Sequence, residues 1–276
     1  MGAKRISSAS NPLLKSLIDL KDRRARVQTG TFLVEGRRES AAAVRAGFEI
    51  ARVIVAPELA SDAAITDLVV AVEERAASAE IETLELSRTA FEKLSLRQNA
   101  DGLAVQARAG RTALDAPALA GADLVLVIDG VEKPGNVGAL MRSADAAGAD
   151  LVVLTGDGTD IYNPNTVRAS QGSIFALKVR HASGEDLIAL ASGAGLKVVT
   201  ASPAAELDYW DVDLSGPVAI VVGAEDVGVD RAMMEASDLR VRIPMRAAQA
   251  DSLNVSVAGA LLLFEALRQR SRTIPR

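Results

Sequence analysis

Leu124-Val-Leu-Val-Ile-Asp129-Gly-Val-Glu-Lys-Pro-Gly-Asn136-Val-Gly138-Ala-Leu-Met-Arg142 is the stretch on which the fold turns. Five consecutive apolar residues make a strand buried on both faces, and a polar, glycine-bearing turn leads from it into a helix. The same kind of strand recurs at Leu151-Val-Val-Leu154, Leu196-Lys-Val-Val199 and Val218-Ala-Ile-Val-Val222, with helical segments between. Continuous apolar strands alternating with helices predict a parallel sheet covered on both faces, an α/β fold. Leu239-Arg-Val-Arg-Ile243 alternates instead, which predicts a fifth strand, partly exposed or near an edge.

Upstream, residues 1–107 read as a smaller α/β unit. Asn11-Pro12 precedes Leu13, Leu14, Leu17, Ile18 and Leu20, the pattern of a capped amphipathic helix that runs into a basic cluster. Strands are predicted at Thr31–Val34, Arg52–Val55, Ile81–Leu84 and Gly102–Ala107. Helices are predicted at Arg38–Ala46 and Asp67–Ala77. Residues 108–121 are rich in Ala, Gly and Pro without a period, so they read as a linker, and residues 122–276 form the second domain. The last helix, about Asn254 to Gln269, is apolar on nearly every side, which predicts burial, partly against a second subunit.

Composition removes whole classes of chemistry. With no cysteine among 276 residues, disulfides, thiolate catalysis and cysteine-held metals are excluded, and His181 alone cannot build a multi-histidine metal site. The longest apolar run of note, Ala260–Phe264, is far short of the ~20 residues a membrane span needs, and Met1–Ser7 has no signal-type apolar stretch. A soluble cytoplasmic protein is expected, with no metal and no membrane partner. The net charge of −5 hides an asymmetry, since residues 1–45 carry ten cations and four acids, leaving −11 for the remainder. A basic N-terminal surface facing a polyanion is one reading, and an ordinary solvated helix face is the other.

Three glycine-bearing turns follow strand ends: Asp129–Arg142, Gly223-Ala-Glu-Asp-Val-Gly228, and Ile243–Ser256. Ligands of open parallel sheets bind at the carboxyl ends of the strands, so the three converge on one candidate pocket. Gly135 and Gly138 give only G-x-x-G, and no G-K-[ST] occurs, so the dinucleotide and P-loop fingerprints are both absent.

Asn136-x-Gly138-Ala-Leu-Met-Arg142-Ser-Ala, Gly223-x-Glu225-x-x-Gly228 and Ile243-Pro-Met245 with Ser252-Leu-Asn254-Val-Ser256 resemble, in order and spacing, the three motifs of the SpoU/TrmH family. These are S-adenosylmethionine-dependent RNA ribose 2′-O-methyltransferases of the SPOUT superfamily. Val167-Arg-Ala-Ser170-Gln-Gly172 resembles a family segment between the first two motifs. Phe32-Leu-Val-Glu-Gly36 resembles part of a ribosomal-protein-like RNA-binding domain. Lys178 stands where proline is common in the family, and Ser143 where threonine is.

The resemblance implies a parallel α/β domain with a C-terminal trefoil knot, a homodimer joined through the last helix, and RNA as partner, ribosomal RNA before transfer RNA. It implies that Gly223, Ile243 and Leu253 hold S-adenosylmethionine through backbone groups, with Thr155, Met245 and Ser252 nearby. Catalysis falls to Asn136, Arg142, Glu225 and Asn254. Arg142 acts as base or as phosphate grip, the second at least as strongly indicated because a guanidinium is normally not deprotonated. Glu225 would pair with Arg142 or Asn136. Arg23, Arg24, Arg26, Arg37 and Arg168 are the expected RNA contacts. Plain structural roles stand beside these: an ion pair with Asp145 for Arg142, helix caps for Asn136, Ser252 and Asn254, and a first-turn acid for Glu225. The competing functions are a non-catalytic RNA-binding or ribosome-assembly protein and, more weakly, a nicotinamide-dependent oxidoreductase.

Overall fold

A computed structural model describes residues 4–8, 10–75, 81–110, 112–158, 160–246 and 252–273. Two compact units divide the chain: Met1–Gly110 with Asp160–Ala176, and Arg111–Thr159 with Leu177–Arg276.

The first unit opens with β1 (Lys4–Ile6), α1 (Pro12–Asp19), α2 (Arg23–Thr29), β2 (Thr31–Glu35) and α3 (Arg37–Arg45). It continues with β3 (Ile50–Val55), α4 (Asp62–Arg75), β4 (Glu82–Leu86), α5 (Arg88–Leu94) and β5 (Leu103–Arg108). Asn11 caps α1 by accepting from the Leu13 amide, as its sequence predicts. The strands order as β1-β4-β3-β5-β2, with β5 antiparallel to both neighbours. β2 is buried on both faces. Leu33 joins Leu14, Leu17, Phe91 and Leu94 in one core. Phe32, on the opposite face, stacks on Tyr162 at 4.3 Å and meets Phe48 and Phe175. That aromatic cluster draws residues 160–176 into this unit.

The second unit runs through α6 (Ala116–Leu119), β6 (Leu124–Asp129), α7 (Pro134–Ala147) and β7 (Leu151–Thr155). The chain then gives α8 (Pro164–Ser170) and α9 (Ser173–Ala176) to the first unit. It returns as β8 (Val179–His181), α10 (Gly184–Gly193), β9 (Lys197–Ala201), β10 (Leu207–Asp208) and β11 (Val218–Gly223). Last come α11 (Arg231–Ala236), β12 (Leu239–Arg242) and α12 (Val255–Thr273). Every pairing in its seven-stranded sheet is parallel, in the order β10-β12-β9-β11-β6-β7-β8. Val125, Val127, Val198 and Val221 face α10 and α11 on one side. On the other, α12 lies against α7 and β11, with Gly259 facing Leu140 and Val222.

Several expectations change. β1, β8 and β10 were not predicted, being two or three residues long and defined by a neighbour's hydrogen bonds rather than by a pattern. The alternating strand β12 does lie near the edge, as its pattern predicts, with only β10 outside it. The helix predicted to begin at Asp67 begins at Asp62, and Ala76 and Ala77 lie outside the described residues. The last helix buries one face only, through Leu262, Leu263 and Ala266, while Val257, Leu261, Phe264 and Leu267 are exposed.

Candidate active site

The carboxyl ends of β9, β11 and β12 enclose a cavity of about 320 Å³, a size typical of small-molecule sites. Ser202 and Pro203 wall one side, the loop Gly223–Gly228 a second, and Ile243, Met245, Ser252 and Leu253 a third. The floor is apolar, made by Val222, Val241, Val255 and Ala258, while Ser202, Glu225, Asp226 and Ser252 bring polar side chains to the walls. Ala247–Asp251, inside the third predicted turn, lie outside the described residues. Five of the six residues expected to hold the cofactor line this cavity: Gly223, Ile243, Met245, Ser252 and Leu253. Thr155 does not line it. It is buried at the end of β7, and its hydroxyl donates to Asp129 Oδ1 at 2.7 Å.

Gly223 is glycine for a reason the sequence did not show. A Cβ there would strike the backbone of Gly228 and Val229, because the loop folds back on its own strand. The Gly228 amide closes it onto the Ala224 carbonyl at 2.9 Å, and Gly228 itself has φ +74°.

At the cavity rim the three motifs meet. Asn136 donates through Nδ2 to Glu225 Oε1. Asn254 Nδ2 lies 3.2 Å from both Asn136 Oδ1 and Glu225 Oε1. Lys133 bonds the other carboxylate oxygen, Oε2, and this bond holds its ammonium charged above the usual lysine range. Helix geometry explains why each side chain is free to do this. Lys133, not Asn136, occupies the N-cap of α7 and makes no side-chain cap, and Asn136 stands in the first turn. Glu225 precedes α11 by six residues, so it is no first-turn acid. Asn254 does cap α12, accepting from the Ser256 amide at 3.0 Å, and its NH2 still faces the cluster. Ser252 is not the cap.

Arg142 does not join them. It is exposed on α7, and among the described residues its side chain has no hydrogen-bond or ion-pair partner, Asp145 included. Six residues from Asn136, it stands about 9 Å along the helix and about 120° round it. Two residues that sequence reasoning passed over complete the site. Lys133 carried no motif signal. Asp129, buried at the end of β6, accepts from Thr155 and from the Asp230 amide at 2.7 Å, tying β6, β7 and the segment after the Gly223–Gly228 loop. Its signal was an acid closing an apolar strand.

The expected RNA contacts divide. Arg23 and Arg24 are exposed on α2, and Arg168 is exposed on α8 near the Leu96 carbonyl. Arg37 pairs with Asp67 across 3.5 Å at the surface. Arg26 is a correction. It is 3% exposed, bonds Asp160 at 2.7 Å and donates to the Leu20 and Lys21 carbonyls, so its guanidinium is buried out of a phosphate's reach.

Residues 123–264 match the SpoU rRNA Methylase family, and residues 11–105 match the MRM3-like substrate binding domain. The chain is 34% identical over 265 residues to the 23S rRNA (guanosine(2553)-2′-O)-methyltransferase RlmP of Bacillus subtilis, covering 95% of this chain and 98% of that one. A solved RNA 2′-O ribose methyltransferase is 40% identical, with a TM-score of 0.80 and coverage of 97% and 99%. The AdoMet-bound rRNA methyltransferase of Sinorhizobium meliloti is 29% identical, with a TM-score of 0.84 and coverage of 96% and 98%.

Proposed function

Because the chain belongs to the SpoU rRNA methylase family, we propose that it methylates a ribose 2′-hydroxyl of ribosomal RNA, with S-adenosylmethionine as donor. The observation that carries this is the joining of Asn136, Glu225 and Asn254, from three distant segments, at the rim of one cavity.

The cavity fits the donor: an apolar floor for the adenine, and backbone at the strand ends Gly223 and Ile243 and at Leu253, just before α12, for its polar edges. S-adenosylmethionine, when bound, supplies an electrophilic methyl group. The residues of the chain then have to present one hydroxyl oxygen to it, and positioning of that kind is a large part of such catalysis. Asn136 and Asn254 hold their amides on Glu225, so the rim is a fixed set of hydrogen-bonding groups that reads a ribose hydroxyl and thereby selects RNA over DNA.

Arg142 grips the phosphate beside the target ribose. It does not share Asn136's face, so we assign it to a dimer joined through α12, which packs on α7, where it serves the partner's site. The exposed stripe Val257, Leu261, Phe264 and Leu267 is the dimer surface, and the back-folded Gly223–Gly228 loop belongs to the C-terminal knot. The first unit binds the RNA substrate through Arg23, Arg24 and Arg168. Such an enzyme works in the cytoplasm, and no described helix is long and apolar enough to cross a membrane. Calorimetric titration with S-adenosylmethionine, followed by mapping of ribose methylation in ribosomal and transfer RNA with and without the protein, tests the proposal. Binding together with a lost ribosomal mark is expected. No binding at about 1 mM would favour a non-catalytic RNA-binding protein, and a lost mark in transfer RNA would move the substrate.

A further inference from the structure

Glu225 offers its neighbours about four acceptor positions, as any ionised carboxylate does. Two on Oε1 serve Asn136 and Asn254, and one on Oε2 serves Lys133. What the cluster still presents outward is therefore mostly donors: the second amide hydrogen of Asn136 and two hydrogens of the Lys133 ammonium. The lysine side chain is 69% exposed and the glutamate 23%, so the cation faces solvent and the carboxylate is sheltered beneath it. Ion pairs this open hold weakly and exchange readily for another anion. Arg142, the cation that the family resemblance nominates for phosphate, does not reach this cluster within one chain.

We propose that Lys133 is an RNA-contacting residue of the site, its ammonium binding the one of the two phosphates flanking the target ribose that Arg142 does not grip, while one of its hydrogens stays on Glu225. This rests on the methyltransferase reading for the identity of the nucleic acid, and its test is separable from that reading. Binding of a ribosomal RNA fragment is measured from about 50 to 200 mM salt for the wild type, Lys133→Met and Lys133→Arg. Loss of one phosphate contact flattens the log–log salt slope by ~0.7 for single-stranded RNA. Lys133→Met is expected to show that flattening with severalfold weaker RNA binding and a raised KM for RNA. Its S-adenosylmethionine affinity is expected to stay within about twofold of wild type, and Lys133→Arg to restore the slope. An unchanged slope in Lys133→Met would overturn the proposal, as would loss of kcat and cofactor affinity together with that slope intact, because the lysine would then only shape Glu225. Should the slope change while the wild type methylates no RNA, the phosphate contact stands and the methyltransferase reading falls.

Discussion

Gly223 and Gly228 close the same loop for different physical reasons, and substitution separates them. At Gly223 a methyl group would meet the backbone of Gly228 and Val229, which cannot yield as a side chain can. Overpacking of that kind costs about 1–3 kcal/mol. At Gly228 the surrounding space is open and only the positive φ resists, which costs about 1 kcal/mol. Gly223→Ala is therefore expected to lower both the melting temperature and S-adenosylmethionine affinity in calorimetry. Gly228→Ala should lose less of each, and equal effects would show that the loop is not held by that crossing. The arginines of α2 separate in the same way. Arg26→Gln strips a half-buried carboxylate and two carbonyls of their buried donor, and leaving such acceptors unsatisfied costs about 1–3 kcal/mol. Denaturant unfolding should register that loss and leave Arg24→Gln near wild type. Nothing in Arg23-Arg-Ala-Arg26 distinguishes the buried arginine from the exposed ones, because its partner Asp160 is 134 residues away. Lys133 was illegible for the same reason, while Asn136 and Asn254 were legible because motif order, not local pattern, marked them.

Among the elements, β6, β7, β9 and β11 could be read directly, since strands buried on both faces write themselves as apolar runs. The attachment of α8 and α9 to the first unit could not. No break in composition marks residues 160–176, and their aromatic partners Phe32 and Phe48 lie more than 100 residues upstream. Tyr162 seals that attachment: its hydroxyl donates to the Gly110 carbonyl at 2.8 Å, and burial, helped by the charge of Asp160, raises its ionisation above the usual 10.0. A group with a raised folded value lends stability in full below its unfolded value and loses it as pH climbs through the folded one. The wild type should thus weaken beyond about pH 10. Tyr162→Phe, missing two hydrogen bonds to Gly110, each worth about 0.5–1.5 kcal/mol, should start lower at pH 8 and fall less steeply above pH 10. Unfolding by denaturant across that range reads the difference, and parallel curves would refute it. α12 was legible as an apolar helix, but not which face the chain covers. Its open stripe predicts that Leu261→Asp with Phe264→Asp turns a dimer into a monomer by light scattering, with methyl transfer falling alongside. A double variant of unchanged mass would remove the dimer and, with it, the role given to Arg142.

Charge is the property that belongs to the molecule as a whole, and the fold sorts it. Of the ten cations in residues 1–45, Lys4, Arg5 and Arg37 face Glu82, Glu85 and Asp67, and Arg26 is buried. Lys21 donates to the carbonyls of Lys93 and Ser95, so its donors are turned inward. Lys15, Arg23, Arg24, Arg38 and Arg45 remain exposed with no partner among the described residues. The asymmetry of +6 against −11 thus overstates the basic surface, and these five are what it can offer a polyanion. Paired cations give up little on binding, because a phosphate must first displace a carboxylate. Unpaired ones give up only their counterions, and that release sets the salt slope. Reversal of Arg23 and Arg24 to Glu should therefore weaken binding of ribosomal RNA and flatten its salt slope by at least ~1.4, the equivalent of two phosphate contacts. The same reversal at Lys4 and Arg5 should change the slope much less. Filter binding across a salt series compares the two variants directly. Equal slopes would mean that the exposed arginines of α2 are a solvated helix face and that the RNA is held elsewhere on the protein.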